Sequence, residues 1–134
     1  MRFLLHPLIV HFPVGLWLTS FVFDLLFART RDRFFAIAAR YLIGLGVLAA
    51  GGAIVLGFAD LIPLVAEGVG QAFVDQHRIH STLAYVSTAV YSGLFLARWR
   101  WHAMPMTLSL GLALIGAVLV SATGWFGGEI RRVM

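Results

Sequence analysis

Four long apolar stretches, separated by short polar connections, constrain this chain more than any other feature. Each is long enough to cross a hydrocarbon core of about 30 Å, which takes ~20 apolar residues in a helix. Hydrophobic residues make up 60% of the 134 positions and charged residues only 12%, too few to cover a soluble globule. The sequence therefore predicts one integral membrane domain over residues 1–134, an all-α antiparallel bundle of four transmembrane helices. The predicted helices span approximately 8–28, 35–64, 79–98 and 104–126.

Charge and cysteine content exclude several classes of protein. The net charge of +4 comes entirely from arginine, because the chain contains no lysine. In a membrane protein this surplus indicates topology and contact with lipid headgroups, and we expect no nucleic-acid partner. The absence of cysteine excludes disulfides, thiolate metal sites, iron–sulfur clusters and covalently attached c-type haem. No domain boundary or internal repeat is expected.

The arginines beside the predicted spans indicate an orientation. Those in the first and third connections share one side of the membrane, whereas the connection over residues 66–76 is acidic. Arginine-rich connections stay in the cytoplasm. We therefore expect a bacterial inner-membrane protein with both termini on the periplasmic side. Asp24, near the end of the first helix, is expected to pair with nearby arginines. The arginines that support this orientation are Arg29, Arg31, Arg33, Arg40, Arg98 and Arg100.

Most of the imidazole and carboxylate groups fall on the predicted periplasmic side. Four helix ends carry such a group at similar depth, in a chain that is otherwise sparing with both. Buried polar residues in membrane helices usually face the bundle interior, so the pattern predicts one shared pocket. Its members are His6 and His11, Asp60, His77 and His80, and Glu129. Only His102 is expected on the other side.

One interpretation of this cluster is a b-type haem with His11 and His80 as axial ligands. Haem iron takes imidazoles on both faces, and helical bundles can present them. Gly15 lies one turn from His11 and leaves room beside the macrocycle. Arg78 or Arg132 would pair with the propionates. In this interpretation the partners of the ligands are His6, His77 and Asp60.

Two other interpretations remain open. A non-haem Zn, Fe or Cu ion suits the mixed imidazole and carboxylate donors of His6, His11, Asp60, His77 and His80, although their spacing matches no closed metal motif. Alternatively, the histidines cap helix starts and hold the helix ends together. No serine or threonine lies in a nucleophile motif, so an enzymatic activity would require a cofactor.

Several segments resemble a bacterial membrane family called domain of unknown function 2231. They are HPLIVHFPVGLW from residue 6, GFADLIP at 57–63, HRIH at 77–80 and TGWFGGEI at 123–130. The resemblance covers essentially the whole chain. It implies a four-helix membrane module, sometimes joined to Rieske or cytochrome c segments, and hence electron transfer. The positions that carry the family pattern are His6, Pro7, His11, Pro13, Asp60, His80, Gly127, Gly128 and Glu129.

The leading functional expectation is a small b-type cytochrome. It would pass electrons between the quinone pool or a partner subunit and an external redox protein. The small-residue faces of the second and fourth helices suit either bundle packing or formation of a homo-oligomer. The glycine pair at residues 127 and 128 is expected to end the fourth helix.

Overall fold

Helices dominate the computed structural model, which describes residues 6–101 and 103–133. The described residues form α1 (His6–Ile9), α2 (His11–Thr30), α3 (Arg33–Ala66), α4 (Gln71–Arg100) and α5 (Met106–Val133). The predicted all-α bundle is confirmed. Three segments are long and apolar enough to cross a membrane: His6–Thr30, Arg33–Ala66 and Met106–Ile130. Helix α4, the third of the four long helices, is long enough to cross a membrane at ~1.5 Å per residue. It is the least apolar of the long helices.

Short connections arrange the long helices in sequence order. Helix α2 ends at Arg31, which adopts a left-handed conformation and donates its N–H to the Phe27 carbonyl at 2.9 Å. Asp32 then caps α3 by accepting the Phe34 N–H at 2.9 Å, a frequent role of aspartate at helix starts. Neighbouring helices pack antiparallel, and α2 also contacts α5 as α3 contacts α4. Helices α2 and α4 therefore lie diagonally across the bundle axis.

Two helices are longer than the sequence predicted. Residues 71–76, expected in a connection, form the first turns of α4, because Phe73 is buried and anchors them in the bundle. Gly68, with φ of 83°, makes the turn before them. Helix α5 continues through Gly127 and Gly128 to Val133. These glycines do not end the helix, and Gly127 instead lies against a side chain of α4.

Side chains of α2 and α4 meet across the axis at three levels. The His6 and His80 rings lie at one end, Trp17 stacks on Tyr91 in the middle, and Asp24 pairs with Arg98 near the other end. The stacked rings have centroids 4.2 Å apart and planes inclined by 11°. Each of the three pairs joins residues 74 positions apart (6 and 80, 17 and 91, 24 and 98).

Glycines on α3 and α5 also occupy corresponding positions in the two halves of the chain. A Cβ atom at Gly46 would overlap the Trp17 indole, and one at Gly116 would lie 2.8 Å from Cζ of Tyr91. These glycines are 70 positions apart (46 and 116). The hairpin of α2 and α3 thus repeats as the hairpin of α4 and α5, related by an approximate two-fold axis along the bundle. The sequence did not reveal this repeat, because few of the paired residues are identical.

The Asp24 carboxylate pairs with an arginine far away in sequence. Arg98 donates from Nη1 to Oδ1 at 2.9 Å and from Nη2 to Oδ2 at 2.7 Å. The side chains are only 11% and 7% exposed for Arg98 and Asp24. The expected pairing of Asp24 with an arginine is confirmed, but the partner comes from α4 and not from the adjacent connection, because the buried carboxylate is turned toward α4.

Substitution Asp24→Asn should destabilise the bundle by ~3–5 kcal/mol, because it leaves the Arg98 guanidinium buried without a counter-charge. Since the two positions are related by the repeat, Asp24→Arg combined with Arg98→Asp should recover much of that loss. Unfolding in detergent measures both effects. Glu129→Gln, which breaks an exposed pair with Arg132, is the control and should cost less than ~1 kcal/mol. A double variant less stable than Asp24→Asn would contradict the symmetric placement.

Substitution Gly46→Ala should destabilise the bundle by ~1–3 kcal/mol or more, because its methyl group must displace the Trp17 indole. Gly52→Ala is a matched control on the same helix, since a Cβ there meets nothing within 4 Å. The control should be neutral or stabilising by up to ~1 kcal/mol, as alanine favours helix. Equal stability of the two variants in a denaturant titration would show that Trp17 does not pack against α3.

Candidate functional site

A cavity of about 440 Å³ opens at the end of the bundle where the histidines lie. It reaches from His6 and His80 down to Trp17 and Ser87, and all five helices contribute to its wall. The stacked ring of Tyr91 lies against Trp17 at that depth. Most of the lining is apolar, and this volume is in the range of small-molecule sites. Polar side chains are concentrated near the mouth: His6, His11, Asp60, His77, His80 and Ser81.

His6 is held at two points by α3. Its backbone N–H donates to Oδ2 of Asp60 at 2.9 Å, so Asp60 caps α1 from a neighbouring helix. Its ring Nδ1 lies 2.7 Å from the Ala53 carbonyl oxygen. A carbonyl can only accept, so Nδ1 carries a proton, and in the neutral ring Nε2 then keeps its lone pair. A Cβ atom at Gly57 would lie 3.1 Å from Nδ1, so the ring fits because this position is glycine.

His80 is held by α5 in the same way. Its Nδ1 lies 2.9 Å from the Thr123 carbonyl oxygen and must donate to it. A Cβ atom at Gly127 would lie 2.9 Å from Cε1 of the ring. In each half of the repeat, the histidine ring therefore donates to a carbonyl of the neighbouring helix. It also packs against the glycine that follows the carbonyl residue by four positions on that helix. Both imidazoles have the tautomer in which Nε2 is available to a ligand.

The two imidazole rings come close to each other across the bundle axis. Their centroids are 6.0 Å apart and their planes are inclined by 83°. A centroid lies ~1.1 Å behind Nε2, so rings bonded at ~2.0–2.1 Å to opposite sides of one ion would have centroids ~6.3 Å apart. The observed separation is close to that value. Moreover, histidine ligands usually donate their other ring N–H to a carbonyl or carboxylate, as both do here.

His11 lies away from the buried face of α2, and its assignment as a ligand stays a prediction. The buried residues of α2 are Pro13, Trp17, Ser20 and Asp24, and at ~100° per residue His11 lies about 200° from Pro13. His11 is accordingly exposed at the cavity rim. The structure thus places His6, and not His11, opposite His80. His6 lies seven residues before Pro13, which at ~100° per residue is within about 20° of two full turns, so it shares the buried face of Pro13, Trp17 and Asp24.

The other predicted site residues are distributed around the mouth. His77 is half-buried, lines the cavity and stacks on Phe73 with ring centroids 5.9 Å apart. Gly15 and Arg78 are exposed and do not line the cavity, and their assignment to a cofactor stays a prediction. Glu129 pairs with Arg132 at 3.2 Å. His102 lies outside the described residues.

The described histidine and carboxylate side chains do not gather into a group of three or more that could hold a metal ion. Asp60 is directed to the backbone of His6. The arrangement therefore offers two opposed imidazoles above an apolar cavity. Sequence reasoning missed the two carbonyl acceptors and their glycines. The signals that could have revealed them are Gly57 in GFADLIP and Gly127 in GWFGGE, since both lie inside apolar helices near histidines.

Comparison with known proteins identifies a family. The family model described as predicted membrane protein (DUF2231) matches residues 2–133. No curated protein and no solved structure matches the chain.

Substitution Asp60→Ala should destabilise the protein by ~1–2 kcal/mol, because it removes the acceptor for the first N–H of α1. Asp60→Asn retains a side-chain oxygen and should lose less. Thermal unfolding in detergent compares the variants, and NMR of labelled histidine reports whether the His6 ring leaves the Ala53 carbonyl. Equal stability and unchanged His6 signals in Asp60→Ala would contradict the capping role.

Proposed function

Because the chain belongs to the DUF2231 family of predicted membrane proteins, we propose a function from the geometry of its cavity: it is a membrane electron-transfer module that binds one haem b between His6 and His80. The observation that carries this proposal is the opposed pair of imidazoles, 6.0 Å apart, each with Nδ1 bonded to a helix carbonyl. Two protein ligands suit haem iron, since the macrocycle supplies the remaining four.

The walls beside the histidines suit a flat group. Helices α3 and α5 occupy the other diagonal of the bundle, and small residues line the cavity on both. The imidazole rings themselves occupy the space beside Gly57 and Gly127, and the other small residues leave room beside the two rings. Such space is what a macrocycle between two axial ligands requires. The small lining residues are Ala50, Ala53 and Gly57 on α3, and Thr123, Gly124 and Gly127 on α5.

The protein's contribution is to orient the ligands and exclude water. Haem iron, when bound, supplies a one-electron ferric–ferrous couple. Hydrogen bonds from Nδ1 to Ala53 and Thr123 fix the two rings and increase the basicity of Nε2. The stacked Trp17 and Tyr91 close the floor of the cavity, which keeps water from entering below. The mouth is the point of approach for a quinone or a redox partner protein.

The expected orientation fits this function. The arginines of the α2–α3 connection and of the end of α4 lie at the end of the bundle opposite the cavity. With these residues in the cytoplasm, the cavity faces the periplasmic side of a bacterial inner membrane. Electrons would then pass between the membrane and a partner outside the cytoplasm.

A structural role is the second candidate, and the same hydrogen bonds support it. His6 bonds α3 and His80 bonds α5, so both histidines tie helices together without any ligand. A bound Zn, Fe or Cu ion is a third possibility, with His6, His80 and solvent as donors. Absorption spectra and elemental analysis separate these functions.

Protein produced with ample haem and purified in detergent should show a Soret band, with sharp α and β bands after reduction by dithionite. His6→Ala and His80→Ala should each reduce haem content at least about tenfold, because loss of one axial ligand weakens binding strongly. His11→Ala should retain haem, since its ring is exposed at the rim. The 83° between ring planes also predicts a strongly anisotropic low-spin ferric EPR spectrum.

Absence of haem bands in the unmodified protein would overturn the cytochrome function. Stoichiometric Zn, Fe or Cu in that sample would then support the metal ion. If neither haem nor metal is bound and both alanine variants are less stable than the unmodified protein, the histidines are structural.

A further inference from the structure

Arginine side chains crowd the end of the bundle opposite the cavity. They lie at the end of α2, in the first part of α3 and at the end of α4, which the antiparallel topology brings to one membrane face. Most are exposed, and Arg40 is half-buried. We call this set the arginine end: Arg29, Arg31, Arg33, Arg40 and Arg100.

The acidic residues of this end are already occupied. The Asp24 carboxylate accepts two hydrogen bonds from Arg98, and Asp32 accepts the N–H of Phe34 as the cap of α3. Among the described residues, the guanidinium groups of the arginine end make no ion pair with a carboxylate. Five positive charges therefore face one formal negative charge, that of Asp32. This end therefore carries a surplus of positive charge that the chain itself does not balance.

Aromatic side chains place these charges at the depth of lipid headgroups. Trp99 and Trp101 are 58% and 49% exposed at the end of α4, and tryptophan is enriched at the membrane–water boundary. The guanidinium carbon of Arg40 lies 5.9 Å from the centroid of a Trp99 ring. Such a contact holds the cation beside the ring, and so at the boundary.

The chemistry of the cation selects its partner. Guanidinium presents a planar fork of N–H donors that matches the oxygens of a phosphate, whereas an ammonium acts as a point charge. Because the chain contains no lysine, every cation at this end is of the forked kind. Basic segments at the cytoplasmic surface are attracted to anionic lipids, and each basic residue contributes.

We propose that the arginine end is a binding surface for the phosphate groups of anionic phospholipids, of the phosphatidylglycerol or cardiolipin class. The surface is independent of the cavity and of any cofactor, because it uses none of the same residues. The proposed surface makes the protein prefer anionic to neutral lipid headgroups at one membrane face. The guanidinium groups that pair with no carboxylate make the contacts with the phosphates.

Native mass spectrometry of the detergent-purified protein tests this proposal. Titration with phosphatidylglycerol or cardiolipin should give bound species at concentrations where phosphatidylcholine gives few. The variant Arg29→Gln, Arg33→Gln, Arg100→Gln should bind the anionic lipids at least about tenfold more weakly. These positions leave the left-handed Arg31 and the Asp32 cap unchanged.

The control variant Arg78→Gln with Arg132→Gln removes exposed arginines from the opposite end and should bind like the unmodified protein. Millimolar inorganic phosphate should not displace the lipid, since a headgroup is also held by its acyl chains. Equal binding of phosphatidylcholine, unchanged affinity in the triple variant, or displacement by phosphate would overturn the proposal. An unchanged thermal unfolding temperature verifies that the variants are folded.

Discussion

The stack of Trp17 on Tyr91 sets the distance on which the rest of the bundle depends. These large side chains meet across the axis from diagonal helices, and each rests on a glycine of a neighbouring helix, Gly46 or Gly116. The Trp17 indole also donates to the Ile43 carbonyl at 3.2 Å. Because packed rings cannot be compressed, they fix the separation of α2 and α4. Helix geometry then transmits that separation to the histidines above and the ion pair below.

Above the stack, the bundle widens into a cavity; below it, the interior is closed by a charge pair. This division gives the two ends different chemistry within one short chain. The upper end offers two imidazoles in a mostly apolar cavity. The lower end offers permanently charged guanidiniums at the surface. The aromatic stack separates the two environments and prevents the cavity from reaching the ion pair.

The sequence predicted the helical bundle and placed most of the histidines at one of its ends, but it did not predict which histidine rings lie near each other. The long apolar runs predicted the fold class, because a chain with so few charged residues cannot form a water-soluble domain and each run is long enough to cross a membrane as a helix. The helix ends that carry histidines were recognised as a candidate site because polar side chains are rare in so apolar a chain and costly to bury in a membrane. The preference for His11 over His6 as a ligand stays a prediction, although helical spacing puts His6, seven residues before Pro13, on the buried face of α2. The partner of Asp24 could not be predicted, because a contact across 74 positions depends on which helices become diagonal neighbours.

The repeat of the two hairpins has a consequence for which residues can meet on the axis. Two identical hairpins related by exact symmetry would place every axial residue opposite a copy of itself, so a buried aspartate would face an aspartate. A single chain with two halves is free of that restriction, and here Asp24 faces Arg98 and Trp17 faces Tyr91. Histidine faces histidine at the remaining level. The axial residues are alike at the histidine level and differ at the other two, and at the Asp24 level a second buried carboxylate would repel the first.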